Sequence, residues 1–481
     1  MHYALKIRLI LVFFLCTHVI PLNASVGPQI IDIDVEQLRK LKLNLPNIDL
    51  LGVDFPAGLA RLRLSPQELT TLQSMDVDYK LIQKPHQPMF AAQGYLKPDE
   101  VIQKLNEAAT QHSNLAEYKE IGRTTENRPI GALKITSSAA HHTPKPRVLF
   151  NCMHHAREVM TTEVCMDIVE QLLNQYTIHP EVTHWLNNLE VWVVPQVNPD
   201  GNARVHQQDL YWRKNTWTRY GHVQGVDLNR NYPEGWNSCN GSSDLFISQT
   251  YRGPTPASEP ETQAMIDLVA SIKPTANISY HSFSEIILFP YGCKGRHNPA
   301  KDLFISIAEL MQQEIIDDKG QAGTYRLGTA PELLYNADGT DLDFQFKAHH
   351  VLAYTIEINS RDNGFHPNYQ QWRDLTVRRQ RGGWQALLER VSKEAIRVVF
   401  TTRSRVYYRL YQQKRGVQVL WDGGNTQAPY QTLAPDGALH LPVEQGNYTL
   451  NYYIPTQGIY KFISVPISKN LEDWLVIHTN D

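Results

Sequence analysis

Between residues 95 and 395, helix-spaced apolar patterns alternate with short apolar runs, and this alternation confines the region to an α/β sheet with parallel members. The helical pattern falls on 98–112, 159–175, 259–272, 301–317 and 374–395. The strand pattern falls on 130–135, 148–153, 189–197, 276–281 and 351–358. Polar residues collect where these strands end, the edge at which open α/β sheets bind ligands. Two intervening stretches, 198–256 and 320–343, are too long to be mere connections, and loops of that length in a compact domain are usually functional.

The flanks have a different character, and with 481 residues a core domain plus smaller additions is expected. Lys6 and Arg8 precede an apolar run at 9–16, and Ala24 and Ser25 follow it, the order of a signal peptide over 1–24. Thr17, His18 and Pro21 interrupt the run well short of the roughly 20 apolar residues of a membrane span, so no span is expected in the mature protein. Residues 25–90 hold a strand at 59–65, a helix opened by a Ser65–Glu68 capping box with Pro66 at its first position, and a strand at 77–83. So small a unit is expected to have little core of its own and to pack on something larger. Residues 84–93 contain two prolines and read as a linker. From 396 to 481, short Val-, Tyr- and Thr-rich runs separated by Gly, Pro and Asn mark a small all-β module.

A net charge of −3 leaves no basic surplus, so no nucleic-acid partner is expected. Loss of the signal removes Cys16 and leaves Cys152, Cys165, Cys239 and Cys293. Cys152 and Cys165 fall in an apolar strand and helix, where packed free thiols are expected. Any bridge formed in an oxidising compartment should join Cys239 to Cys293, which lie in polar, Gly-containing loops.

Residues 151–163, NCMHHAREVMTTE, leave one strand and enter the next helix. His155 and Glu158, three apart on a tight turn, can aim an imidazole nitrogen and a carboxylate at one point, as two zinc ligands do. A bare His-x-x-Glu is more often a solvated loop, so a third ligand is needed. His281, ending the strand in NISYHSFSE, completes a His, Glu, His set that leaves a position open for water, as catalytic zinc sites do. Asp227 is a candidate carboxylate behind one of the imidazoles. Glu357 interrupts the apolar run of TIEIN; it is either half of a buried ion pair or a general base beside the metal. Arg213 and Arg230 lie in the first long loop. Asn229 and Asn231 flank Arg230 and a Pro-Glu-Gly turn follows, which looks like a built anion site.

Taken in order, HARE, NPDG, WRK, VDLNRN, YHSFSE, YNADGTDLDF and TIEIN resemble the zinc metallocarboxypeptidases of the carboxypeptidase A type over 95–395. The resemblance implies a carboxypeptidase-like mixed central sheet flanked by helices, and a catalytic domain over 91–395. It implies one Zn2+ per chain on His155, Glu158 and His281, with Glu357 as base and Arg213 polarising the scissile carbonyl. Asn229, Arg230 and Tyr335 then match positions that hold the substrate's terminal carboxylate, and Arg157 one that lines the cleft. Val159 stands where Trp is common, and Asn359 where many members have Arg; neither position is a ligand or the base. Residues 25–90 resemble the small α+β propeptides of secreted bacterial members, which an activating protease cuts away.

Leu342 matches the floor of the family's specificity pocket and Ala330 one of its walls, while the pair Asp341–Leu342 is similar to that of secreted bacterial carboxypeptidase T. This implies a secreted exopeptidase preferring Phe, Tyr, Leu or Met termini, with secondary cleavage of Arg and Lys through Asp341, since such side chains pair a long apolar stem with a charged head. A peptidoglycan amidase can use the same metal set, and a catalytically dead binding module can keep the fold. The Asn229, Arg230, Tyr335 clamp argues against the first, and the intact ligands with Glu357 against the second.

Overall fold

The computed structural model describes residues 27–477 apart from 46–47, 55–56, 76, 84–91, 138–144, 299, 394–395, 401–405, 415–416, 421–430, 433–437, 442–445, 458 and 468–474. The expected signal segment, and the linker up to residue 91, lie outside the described residues.

The leader runs β1 (Gln29–Asp34), α1 (Val35–Asn44), β2 (Asp49–Asp54), β3 (Leu59–Leu64), α2 (Pro66–Gln73) and β4 (Tyr79–Gln83). Its antiparallel sheet has the order β2-β3-β1-β4. Asp34 caps α1, and Ser65 with Glu68 forms the capping box of α2. The expectation of little internal core is corrected: Ile31, Ile33, Leu41, Leu62, Leu64 and Leu72 pack together, because β1 and β3 turn alternate side chains toward the two helices. Ile30 and Leu51 instead join Phe283 and Phe365 of the following domain.

That domain contains α3 (Pro98–Gln111), β5 (Ala116–Arg123), β6 (Pro129–Ile135), β7 (Arg147–Cys152), α4 (Val159–Gln175), α5 (Pro180–Asn188), β8 (Glu190–Val194) and α6 (Pro199–Gln207). There follow the hairpin β9 (Thr218–Arg219) and β10 (His222–Val223), then α7 (Pro260–Ile272), β11 (Ala276–Ser282), β12 (Ile286–Leu288) and α8 (Lys301–Glu314). Last come β13 (Arg326–Gly328), α9 (Ala330–Leu333), α10 (Asp341–His349), β14 (Leu352–Ile358) and α11 (Tyr369–Lys393). One eight-stranded sheet has the order β13-β12-β14-β11-β7-β8-β6-β5. Its centre, β14-β11-β7-β8, is parallel, and the joins to β12 and β6 are antiparallel.

Both faces of the sheet are covered, which is why the central strands read as apolar runs. Phe150, Ile278, Tyr280 and Ile356 pack on one side with Trp384 of α11; Leu149, Ala353 and Met265 of α7 pack on the other. The first long stretch holds α6 and the hairpin; the second holds β13, α9 and the start of α10. Asn368 accepts from Gln371 N at the head of α11, which begins before the expected residue 374.

Beyond α11 the elements among the described residues are strands, apart from a 3-10 turn at Pro455–Gln457. β15 (Ile396–Phe400), β16 (Tyr407–Lys414), β17 (Val417–Leu420), β18 (Gln431–Thr432), β19 (Ala438–Leu441), β20 (Gly446–Ile454), β21 (Ile459–Ile467) and β22 (Leu475–Ile477) form two sheets. Their Phe400, Tyr408 and Tyr452 belong to the same buried cluster as Trp384 and Val391 of α11.

Two disulfides are present among the described residues. Cys239–Cys293 joins the two loops expected to be bridged, and Cys152–Cys165 corrects the expectation of free thiols there. The end of β7 and the second turn of α4 lie side by side, with the two Cα atoms 6.4 Å apart. Among the described residues no helix is long and apolar enough to cross a membrane.

Candidate active site

The chain leaves β7 through Met153, which holds a positive φ of 61°. A non-glycine residue there costs about 1–3 kcal/mol and persists only where its surroundings enforce it. Met153 is fully buried and its carbonyl accepts from Asn198 N. The resulting turn brings His155 and Glu158 under the end of β11, where His281 sits. His155 Nδ1 lies 2.7 Å from Glu158 Oε1 and 3.1 Å from His281 Nδ1, and Glu158 Oε2 lies 3.0 Å from His281 Nδ1.

Ring nitrogens and carboxylate oxygens therefore converge on one point, and Glu158 Oε2 is buried without a hydrogen bond of acceptable geometry. A shared cation satisfies all of these atoms. Two imidazoles and one carboxylate are the donor set of open zinc sites, so the residues fit the metal. Cys239, Cys293 and Asp338 also approach one another, but there the sulfurs are joined in the disulfide.

Asp227 braces the cluster from behind. Its Oδ1 lies 3.2 Å from His155 Nε2, and its Oδ2 accepts from Arg213 Nε and Nη2 at 3.1 and 2.9 Å. Burial pushes its carboxyl up, but the charges of Arg213 and His155 outweigh burial and hold it well below the usual range. Glu357 is the register partner of His281 across β11 and β14, so the two share a face of the sheet. Half-buried and without an ion-pair partner among the described residues, it has its carboxyl raised to about 8, by burial first and then by the charge of Glu158.

One cavity of about 60 Å³ is lined by His155, Glu158, Arg213, Asn229, Arg230, Tyr335 and Glu357, together with Leu288, Ala330, Leu334, Ala337 and Leu342. Arg230 is fixed by donating Nε to Gly241 O and Nη1 to Asn229 O. The 335–340 loop can pack against it because Gly339 has a positive φ; a Cβ there would meet the Arg230 carbonyl oxygen at 2.4 Å.

Asp341 does not face this cavity. It opens α10 behind the cap of Thr340, and its carboxylate accepts from Gln345 Nε2 at 2.6 Å and Asn151 Nδ2 at 3.3 Å. The expectation that Asp341 meets a cationic substrate head is therefore corrected, since the first turn of α10 points Leu342 into the cavity and Asp341 at two buried amides. The other acid of that turn, Asp343, accepts from Gly292 N. The expected cleavage of Arg and Lys termini is left without its counter-charge.

The leader lies across the mouth of the site. Leu51 and Gly52 line the cavity, and a Cβ at Gly52 would come within 2.8 Å of the Phe283 ring. Arg157, expected to line the cleft, instead points Nη1 at Asp49, 3.1 and 3.2 Å from its two oxygens, and stacks over Phe365. Arg63 pairs with Asp209 at 3.0 Å, and Arg61 donates to the Arg361 carbonyl. Nothing local in the sequence singles out Asp49 or Phe283, whose roles exist only across the two domains. Another signal was legible: Asn277, Ser279 and His281 alternate with apolar residues along β11 and so share a face.

The chain belongs to the zinc carboxypeptidase family, whose model matches residues 101–376. It is 33% identical to carboxypeptidase O of Bos taurus over 270 residues, which is 55% of this chain and 68% of that protein. To a zinc carboxypeptidase of Saccharothrix mutabilis subsp. capreolus it is 31% identical over 290 residues, 57% and 64% of the two chains. The match to carboxypeptidase A2 of Mus musculus, 30% identical and covering 56% of this chain, spans 63% of that relative's length. The fold matches the crystal structure of carboxypeptidase A from Helicoverpa armigera with a TM-score of 0.65 at 23% identity, over 76% of this chain and 96% of that one.

Proposed function

We propose that this chain is a secreted zinc exopeptidase that removes single residues from the free C-termini of peptides and proteins. The observation that carries this reading is that one cavity is lined at once by two of the metal-ligand candidates, Glu357, the Asn229–Arg230–Tyr335 clamp and an apolar wall. His155, Glu158 and His281 would hold the zinc, which would supply Lewis acidity toward a peptide carbonyl and acidify water. Glu357, as a carboxylate, would take a proton from the water that attacks the carbonyl carbon and pass it to the amine released when the C–N bond breaks. Arg213, held rigid by Asp227, donates to the carbonyl oxygen as negative charge develops there. Asn229, Arg230 and Tyr335 grip the terminal carboxylate, and its side chain meets Leu342, Ala330, Leu334 and Ala337, which favours Phe, Tyr, Leu or Met.

Residues 25–90 are assigned the role of a propeptide on the strength of the Asp49–Arg157 pair and of Leu51 and Gly52 in the cavity wall. An activating protease would cut within 84–93. Export is supported by the leading segment and by two disulfides. The clamp favours a free C-terminus over the amide substrates of a peptidoglycan amidase.

The test is mass spectrometry of the cut, zinc-loaded protein with peptides varied at the C-terminus and with their amidated forms. Free termini should be shortened one residue at a time and amidated ones spared. Chelation and His281→Ala should abolish the reaction, with zinc restoring the chelated protein. Equal cleavage of amidated peptides, or an active His281→Ala, overturns the reading.

A further inference from the structure

Behind His281 the sheet carries a polar seam whose side chains lie outside the cavity lining; it meets that lining at Asn229, whose Oδ1 accepts from Asp341 N at 2.9 Å and whose Nδ2 lies 3.5 Å from His281 Nε2. Asn277, Ser279 and His281 face one side of β11, and Asn151 of β7 is the register partner of Ser279. Asn151, Ser279, Asp341 and Gln345 are at most 1% exposed. Polar groups buried this deeply are tolerated only when hydrogen-bonded, and here the bonds have a direction.

A carboxylate can only accept, so Asp341 draws Gln345 Nε2 to one oxygen and Asn151 Nδ2 to the other. With its amide nitrogen turned to Asp341 and to Asn277 Oδ1 at 2.9 Å, Asn151 presents its carbonyl to Ser279. Ser279 Oγ donates to that carbonyl at 2.7 Å and is left to accept from His281 Nε2 at 3.2 Å. A proton on Nε2 leaves the lone pair on Nδ1, the atom that faces Glu158 and His155. On its flat side the His281 ring is stacked on His154, with centroids 5.6 Å apart and planes 16° apart, and His154 is held by Tyr232 Oη at 2.8 Å.

We propose that Asp341, Asn151 and Ser279 form a positioning relay for the metal ligand His281, in which the carboxylate sets the direction of every bond and the hydroxyl fixes the ring's tautomer and tilt. Asp227 does for His155 directly what the relay does for His281 at two removes. The proposal rests on the zinc reading above, and it gives Asp341 a role in metal binding in place of substrate selection.

The test measures zinc affinity of the full chain by competition with a chromophoric chelator, and the visible spectrum of the Co2+ form. Ser279→Ala removes the acceptor and should weaken zinc binding roughly 10- to 100-fold, the usual loss for a group behind a ligand, and should shift the Co2+ bands. Ser279→Thr, which keeps the hydroxyl, should recover most of both. Asp341→Asn, whose amide no longer dictates the orientation of Asn151, should fall between; if that variant fails to fold, Ser279→Ala decides alone. Zinc binding by the wild type with unchanged affinity and unchanged Co2+ bands in Ser279→Ala overturns the relay alone. A wild-type chain that binds no zinc overturns the functional reading, and the relay with it.

Discussion

Removing the carboxylate of Asp49 should unlatch the leader from the cleft. Arg157 is fully buried beneath it, and its Nε and Nη2 lack hydrogen-bond partners among the described residues. Its Nη1 meets both oxygens of Asp49 and, at 3.4 Å, the Tyr211 carbonyl. Nearby His366 is held neutral, burial and then the charge of Arg157 keeping its pKa down to about 3, so it brings no negative charge to replace the carboxylate. Asp49→Ala therefore leaves a buried guanidinium uncompensated while the leader is seated, whereas in the open form Arg157 is hydrated. Truncating one partner of a buried charge pair costs about 2–5 kcal/mol. The Asp49 side chain keeps 10% of its exposure, so water reaches the pair early and the lower part of that range applies. A cost of about 2–3 kcal/mol shifts the equilibrium toward the open form about 30- to 150-fold. The assay compares hydrolysis of a Phe-terminated peptide by uncut wild type and uncut Asp49→Ala, with the cut enzymes as the common ceiling. An uncut variant as latent as the wild type, whose cut form is fully active, refutes the latch.

Other substitutions probe the remaining parts of the site and its support. Glu357→Gln keeps the side chain's shape but cannot take a proton; kcat should fall about 10²- to 10⁴-fold while bound zinc, measured by metal analysis, stays constant. Leu342→Asp places a carboxylate in the cavity, so kcat/KM for Phe termini should drop by at least about tenfold while Arg and Lys termini become the better substrates; an unchanged ranking argues against Leu342 as the selector. Glu261, raised to about 7 by burial and then by the charge of Glu259, gives a pH signature. The unfolded chain loses this proton near pH 4.5 while the folded chain holds it to about 7, so folding stability should fall across that window as pH rises and level off above it. In Glu261→Gln this part of the decline, on the order of 2 kcal/mol, should vanish from urea titrations run at pH 5 and pH 7.5.

The parts of the structure that were legible in the sequence are those where a local pattern is also the cause. The central strands read as apolar runs because both of their faces are covered, and the capping box of Ser65 and Glu68 forms from residues three apart. His155 and Glu158 sit on one tight turn and could be read together. Other features depend on partners distant in the chain. Asp341 and Leu342 are neighbours with opposite surroundings: the amides of Gln345 and of the distant Asn151 receive the Asp341 carboxylate on the side away from the cavity. A cysteine packed in a core and a cysteine bridged within it have the same apolar flanks, so Cys152 and Cys165 gave no local sign of their bond. In the leader, the apolar residues of β1, α1 and β2 are set among charged ones, and their common core exists only once the elements are assembled.

His281 and Glu357 face each other across a single rung of the β11–β14 ladder. The separation of the His281 and Glu357 backbones is thus set by the spacing of hydrogen-bonded strands, about 4.8 Å, and by no loop. A slip of β14 by one residue would turn Glu357 to the far side and bring an isoleucine in its place. The same slip would pull Tyr354, Ile356 and Ile358 out of the core in which they are now buried. Correct chemistry and correct folding are one event in this sheet, so a half-working misfold has no structure to adopt. Residual activity in a destabilised variant should therefore count intact molecules, with turnover per folded chain unchanged.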